Sequence, residues 1–145
     1  MAGRHRVEVE VESTAAPEAV WRLVADHRTW TSWAGFHQAS LEREGDPAPD
    51  GVGALRRFKR GLVTSREEVV RFDAPHHFAY ELRSGLPLRD YHADITLTEL
   101  PGGGTRIRWA SSFDGSFPLV GALIRPGLQR LIAKLARNLA TAAQP

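Results

Sequence analysis

Four residues between Gly53 and Tyr91 have types and spacing that suit chemistry: Arg56, Glu67, Tyr80 and Tyr91. The stretch GALRRFKRGLVTSREEVVRFDAPHHFAYELRSGLPLRDY reads as two consecutive β-hairpins. A first turn centred on Gly61-Leu62 sets Arg56 opposite Glu67, and a second centred on Gly85-Leu86 sets Tyr80 opposite Tyr91. Directly opposed residues of antiparallel strands share a face. The neighbours on those faces are Phe58, Val69, Phe78, Leu82 and Ala93. An acid, a base and two phenols on an otherwise apolar face suit a ligand pocket, with apolar walls and a few placed polar groups.

The chemistry available to the four residues is limited. Arg56 and Glu67 either meet a carboxylate, ketone or hydroxyl of a ligand or form a cross-strand ion pair; an uncompensated buried charge is excluded by its cost. A buried tyrosine needs a partner for its hydroxyl, so Tyr80 and Tyr91 contact either a ligand or a backbone or water partner. In an enzyme, Glu67 would shuttle a proton while Tyr80 or Tyr91 steadies an enolate oxygen, which makes these three the catalytic candidates. Burial would raise the Glu67 pKa and Arg56 would oppose that rise. Trp33, Phe58, Trp109 and Phe113, together with Trp30, are further candidates to line the pocket, or simply core. Arg57 and Glu68 are expected to pair on the opposite, solvated face, where an ion pair contributes little.

The elements that must position these residues follow from periodicity. Val7, Val9 and Val11 alternate with Glu8, Glu10 and Glu12, which predicts a half-buried strand over 6–13. Ser13-Thr14 and Pro17 open a helix with Ala19, Val20, Leu23 and Val24 on its apolar side. Residues 26–36 form a short second helix or tight turn, with Trp30 and Trp33 on one side. A second strand is expected over 37–43, then strands near 53–60, 63–73, 76–84 and 88–100, and a last one over 105–113. The segment 44–53, EGDPAPDGVG, is rich in Pro, Gly and Asp and marks a loop between strands or over a pocket mouth. From Phe117 to Ala143, Val120, Ile124, Leu128, Leu131, Leu135 and Leu139 recur at helical spacing. Pro118 fits its first turn, and Pro126 should kink the helix or mark its true start. This order predicts an α+β fold in which a curved antiparallel meander grips one long helix and leaves a cavity between them.

Composition narrows the function classes. One domain over 1–145 is expected from the length. With 42% hydrophobic and 25% charged residues the chain is ordinary for a globular protein. A net charge of +2, with Arg56, Arg57, Lys59 and Arg60 as the dense basic cluster and no accompanying aromatic-basic motif, argues against a nucleic-acid partner. There is no cysteine, which excludes disulfides and thiolate sites and suits a cytoplasmic location. No segment has the apolar length of a membrane span, and the first residues lack a signal peptide's apolar core. His5, His27 and His37 show no metal-like spacing, His76-His77 sits beside a turn, His92 should face out, and Asp90, His92 and Asp94 read as a solvated sheet face. Dinucleotide, phosphate-loop and nucleophile-elbow motifs are missing. No metal or cofactor is expected.

Several segments together carry a resemblance. ESTAAPEAVWRLVADHRTWTSW, VGALRRF, SREEVVRFDAPHHFAYEL, LRDYHADITL and GGGTRIRW, in this order, are similar to the START-like, or SRPBCC, superfamily of polyketide cyclases, birch-pollen-type allergens and abscisic-acid receptors. The resemblance implies a helix-grip fold: a seven-stranded curved antiparallel sheet around a long C-terminal helix, with two short helices after the first strand. Similarity to the abscisic-acid receptors, through Ser65-Arg66-Glu67, implies that Glu67 is the polar cavity glutamate and that Tyr80 and Tyr91 are cavity aromatics. The receptors' gating Ser-Gly-Leu-Pro is absent from the first hairpin, whose loop is Lys59 to Val63; here Ser84 to Pro87 lie in the next one. A hormone-receptor role is therefore not implied.

The expected function is binding of a small, largely hydrophobic ligand, such as a lipid, polyketide, isoprenoid or aromatic metabolite. The expected ligand contacts are Trp33, Arg56, Phe58, Glu67, Tyr80, Tyr91, Trp109 and Phe113. The alternatives are a polyketide cyclase, aromatase or dehydratase using the same cavity, and a protein-interaction domain with no ligand. A monomer or homodimer without stable membrane insertion is expected.

Overall fold

The structure, a computed structural model, describes residues 4–115 and 119–145. Strand β1 (Arg4–Ser13) leads into α1 (Pro17–Ala25), a single 3₁₀ turn (His27–Thr29) and the short α2 (Trp30–Trp33). Six strands follow: β2 (Gln38–Arg43), β3 (Leu55–Arg60), β4 (Val63–Asp73), β5 (His77–Ser84), β6 (Leu88–Glu99) and β7 (Thr105–Gly115). The chain ends in α3 (Val120–Ala143). The seven strands form one antiparallel sheet in the order β1-β7-β6-β5-β4-β3-β2. This is the helix-grip architecture.

The meander expected from the short connections holds for β2 to β7. β1 lies at the far edge, paired with β7 from Arg4↔Asp114 to Ser13↔Thr105. The link from β1 to β2 carries α1 and α2, so both short helices pass from one end of the sheet to the other. Val7 on β1 is buried while Glu8, Glu10 and Glu12 are exposed, as the alternation demands.

Helix α3 is pinned to the sheet by polar contacts as well as by its apolar stripe. Arg125 Nε donates to the Arg6 carbonyl at 3.0 Å and Gln129 Nε2 to the Glu8 carbonyl at 3.3 Å. These bonds cover carbonyls on the free edge of β1, which would otherwise be open to pairing. Ser13 Oγ donates to the Ala140 carbonyl at 2.7 Å, and Asn138 Nδ2 to the Trp33 carbonyl at 3.1 Å. Leu128, Ile132, Leu135, Ala136, Leu139 and Ala140 are buried beneath it. The helix continues through Pro126, which therefore does not mark its start. Phe117 and Pro118, expected in its first turn, lie outside the described residues.

The first hairpin has the predicted register, with Arg60↔Val63 next to the turn and Arg56 opposite Glu67. The second does not. Tyr80 lies opposite Ala93, two residues from the expected Tyr91, because the turn centres on Leu86-Pro87 rather than Gly85-Leu86. A two-residue shift preserves the face, so both tyrosines still point inward. A bulge between Arg89 and His92, with Asp90 at φ 51°, adjusts β6 beside Tyr91. On the outer face Arg57 stands opposite Arg66, not Glu68. Glu42 sits near both arginines, 2.6 Å from Arg66 Nη2 and 4.0 Å from Arg57 Nε. Glu68 instead pairs with Arg43 at 3.3 Å and Arg83 at 3.2 Å.

Candidate functional site

Where sheet and helix diverge they leave a cavity of about 210 Å³. Its floor is built by the inward faces of β4, β5 and β6: Ser65 and Glu67, Tyr80 and Leu82, and Tyr91. Its roof is the apolar stripe of α3, with Leu128, Leu131, Ile132 and Leu135. Trp30, Ala34 and Phe36 close one side, and Arg60, Val63 and Leu86 stand at the hairpin tips. Leu86, Leu128 and Leu131 also line an adjoining apolar groove with Pro87, Leu88, Ile124 and Gly127, so the cavity opens between the second hairpin and α3.

Gly85 holds that hairpin tip against β4. Its φ is +117°, and a Cβ there would sit 2.5 Å from the Thr64 carbonyl oxygen and 2.7 Å from the Ser65 Cα. Neither neighbour is a movable side chain. Gly85→Ala is expected to cost about 1–3 kcal/mol, the range for a strained left-handed residue. Urea denaturation measures it, and a loss within about 0.5 kcal/mol, the scatter of an ordinary surface substitution, would show that the tip is not fixed by this contact.

Among the described residues Glu67 is the one acidic group in the lining. The residue is 9% exposed, and its Oε1 has no hydrogen-bond partner among them. Burial pushes its carboxyl up to about 7, against the pull of the Arg56 guanidinium. Burial likewise raises the Tyr80 hydroxyl well above its ordinary value, with Tyr91 and Glu67 adding to the rise. The Tyr91 hydroxyl is raised to about 12, again by burial, with Ser111 opposing. Both phenols are therefore protonated donors at any physiological pH. Their rings lie 6.3 Å apart. Behind them Trp109 Nε1 and Ser111 Oγ are buried, Trp109 beside the Tyr80 hydroxyl and Ser111 beside that of Tyr91.

Arg56 is not in the cavity wall. It is wholly buried in a cage of Trp30, Phe58 and Phe78, with its guanidinium carbon 4.6, 5.0 and 5.1 Å from the three ring centres. Its Nη1 donates to the Val24 carbonyl at 3.3 Å, while Nε and Nη2 have no hydrogen-bond partner among the described residues. Burial lowers its pKa, opposed first by Glu67 and then by Asp50. The aromatic cage adds cation–π attraction to the opposing charges of Glu67 and Asp50.

Of the expected contact residues, Glu67, Tyr80 and Tyr91 line the cavity, and Trp33, Arg56, Phe58, Trp109 and Phe113 lie behind its wall. The reason is depth rather than face. Phe58 is sandwiched between Trp30 at 5.1 Å and Phe36 at 4.8 Å. Trp109 is packed edge-on against Trp30 and Trp33. Phe113 is stacked between His5 and Tyr91. Trp33 packs on Trp30 at 4.7 Å and donates to Thr29 Oγ1. Ser65, Leu82, Arg60 and the helix residues join the lining without having been expected as contacts. Same-face parity with Glu67 is the signal that points to Ser65.

Two polar clusters lie elsewhere. On the outer face His92 sits between Glu81 at 3.1 Å and Asp94 at 2.9 Å, and His77 reaches Asp94 at 2.6 Å. Asp26, His27 and Asp50 also come together, which spacing along the chain does not suggest. The 44–53 loop folds back over α1 rather than over the cavity and brings Asp50 to the buried His27, Oδ1 to Nδ1 at 2.7 Å. Both Asp26 oxygens are held by Arg28. Among the described residues no helix is long and apolar enough to cross a membrane.

Solved structures with this architecture include a START superfamily protein from Mycobacterium smegmatis, at 14% identity with a TM-score of 0.82. It is matched over 96% of this chain and 97% of its own. XoxI from Bacillus cereus shares 16% identity and a TM-score of 0.78, covering 98% of this chain and 95% of its own. Norcoclaurine synthase from Thalictrum flavum, solved with dopamine and hydroxybenzaldehyde, has 14% identity and a TM-score of 0.74. There 97% of this chain and 86% of the synthase are covered. At these identities the likeness establishes the fold alone. No curated protein matches the chain significantly. Residues 4–144 match the family described as polyketide cyclase / dehydrase and lipid transport, over the whole sheet and the gripping helix, and the chain belongs to that family.

Proposed function

We propose that the protein binds a compact, largely apolar small molecule in the cavity between sheet and helix. The observation that carries this reading is the lining itself. Leucine, isoleucine and aromatic side chains surround a buried carboxyl whose Oε1 has no partner among the described residues, with two protonated phenols beside it. A buried polar atom left without a partner costs about 1–3 kcal/mol, a deficit that a ligand group or a bound water removes. The volume favours one or two rings: about 150 Å³ suffices for benzene. A long-chain lipid would have to extend into the groove at the mouth.

Native mass spectrometry of the gently purified protein, followed by identification of any released compound, tests this. A one- or two-ring compound at 1:1 stoichiometry is expected. The double substitution Tyr80→Phe with Tyr91→Phe should weaken its binding roughly tenfold, for the loss of two hydrogen bonds, with folding nearly intact. An empty protein that also shows no thermal shift with any compound of that size would sink the reading.

A second reading, a cyclase or dehydratase using the same cavity, is favoured by Glu67. A carboxyl at about 7 is poised to exchange a proton at neutral pH. It would take a proton from a carbon next to a substrate carbonyl, while the Tyr80 or Tyr91 hydroxyl donates to the enolate oxygen that forms. A rate that rises with pH through about 7 and is abolished by Glu67→Gln would favour turnover over binding alone. The open cavity speaks against an interaction domain with a dry core.

A further inference from the structure

Among the described residues Arg60 is the one cation in the cavity lining, and its surroundings hold it ready for an anion. Its Nε donates to the Gly35 carbonyl at 3.4 Å and its Nη2 to the Ala34 carbonyl at 3.3 Å. Its guanidinium carbon stands 5.7 Å from the Phe36 ring centre. These contacts fix the guanidinium plane but neutralise nothing. Among the described residues Arg60 has no carboxylate partner, and three of its five N–H groups remain unused. Gly35 is part of the arrangement. It has φ +83°, and a Cβ on it would collide with Arg60 Nη2, so the close approach of the guanidinium requires a glycine there. Arg60 is an exposed residue at the tip of the first hairpin, which places it on the solvent-facing rim of the cavity.

Glu67 marks the other end. It lies opposite Arg56 in the ladder, four residues along β3 from Arg60, or about 13 Å of strand, a span that inward-reaching side chains shorten. Between the two ends the wall is largely apolar, with Trp30, Leu82, Leu128 and Ile132 among its residues and Ser65 adding a hydroxyl. The cavity is therefore polar at both ends with opposite requirements. The inner end offers a carboxyl and two phenol donors, which suit a neutral hydroxyl or carbonyl. The outer end offers an unneutralised guanidinium.

We propose that the ligand is an amphipathic aryl anion, bound with its ring on the apolar wall, a neutral hydroxyl or carbonyl at Glu67, Tyr80 and Tyr91, and its anionic group on Arg60 at the exposed rim. This rests on the cavity being a ligand site and adds its substrate class and orientation. A guanidinium offers paired N–H groups to a carboxylate in bidentate geometry, stronger than a neutral contact at the same place.

Isothermal titration at about pH 7.5 with 3-(4-hydroxyphenyl)propanoate and with its methyl ester tests the proposal, since a charge-assisted bidentate contact is roughly twice as strong as a neutral one. The two probes differ chiefly in the charge at one end. Wild-type protein is expected to bind the acid at least tenfold more tightly than the ester. Arg60→Gln, at an exposed position where folding is not at risk, should remove that preference by weakening the acid more than the ester. Equal binding of both probes to the wild type would overturn the anion site and leave the cavity reading intact. A preference that survives in Arg60→Gln would overturn the role of Arg60. Failure of both probes to bind would overturn both.

Discussion

Replacing Glu67 by glutamine is expected to stabilise the protein by about 3 kcal/mol above neutral pH and to leave it nearly unchanged below about pH 4.5. In the folded protein the carboxyl titrates near 7; in the unfolded chain it returns to 4.5. Between those values the folded state holds the extra proton, so this group's effect on stability worsens as pH rises through the window. Below 4.5 both states are protonated and the penalty is absent. Above 7 the folded protein must bury a carboxylate, and the penalty is complete. A tenfold change in proton affinity between the two states corresponds to about 1.4 kcal/mol, which gives the magnitude above. Glutamine is close in shape to the protonated acid and cannot ionise. The difference in unfolding free energy between variant and wild type, followed from about pH 4 to 9, isolates Glu67 from every other carboxylate. A flat difference would mean that Glu67 titrates normally and that solvent reaches it.

Arg56 enters the same experiment with a definite sign. It is the influence holding Glu67 down, so Arg56→Met should move the midpoint of that difference above 7. The thioether chain can occupy the cage of Trp30, Phe58 and Phe78 without leaving a void. Exchanging a buried charge for an apolar side chain of similar volume is often neutral or stabilising, and here the carboxyl can respond by staying protonated.

Trp30→Ala is expected to cost about 3–5 kcal/mol, the range for truncating a buried aromatic. Trp30 is 1% exposed and is the hub of the aromatic cluster: Trp33, Phe58, Trp109 and Phe36 all lie within 6.4 Å, centre to centre. Its Nε1 donates to the Val24 carbonyl at 3.1 Å, tying α2 to the end of α1. It also covers Arg56 and forms one side of the cavity. At roughly 2–4 °C per kcal/mol for a chain near this length, the melting temperature should fall by about 10 °C or more. The void left would merge with the cavity, so added indole should bind there and restore part of the loss. Calorimetry with and without indole checks both. A loss below about 1 kcal/mol would show that the cluster does not depend on this ring.

The elements and their order were legible in the sequence because they are local. Val7, Val9 and Val11 against three glutamates, Pro17 at the start of α1, and the leucine spacing of α3 each declare a period and a boundary without any tertiary contact. The Arg56–Glu67 pairing was equally local, since the two-residue turn at Gly61-Leu62 sets the register of the hairpin. The inward face of Tyr80 and Tyr91 survived an error in the turn, because a two-residue slip does not change parity.

What the tertiary structure alone decided was depth. Alternation assigns a side chain to a face of the sheet but not to its surface or its interior once other elements close over it. Arg56, Phe58, Trp109 and Phe113 share the inward face with Glu67. Only the positions of Trp30, Phe36 and α3 leave Glu67 in the cavity and bury the others behind it. The pairing of β1 with β7 and the meeting of His27 with Asp50 are decided in the same way. They depend on where residues distant in the chain come to rest, and no local spacing carries that information.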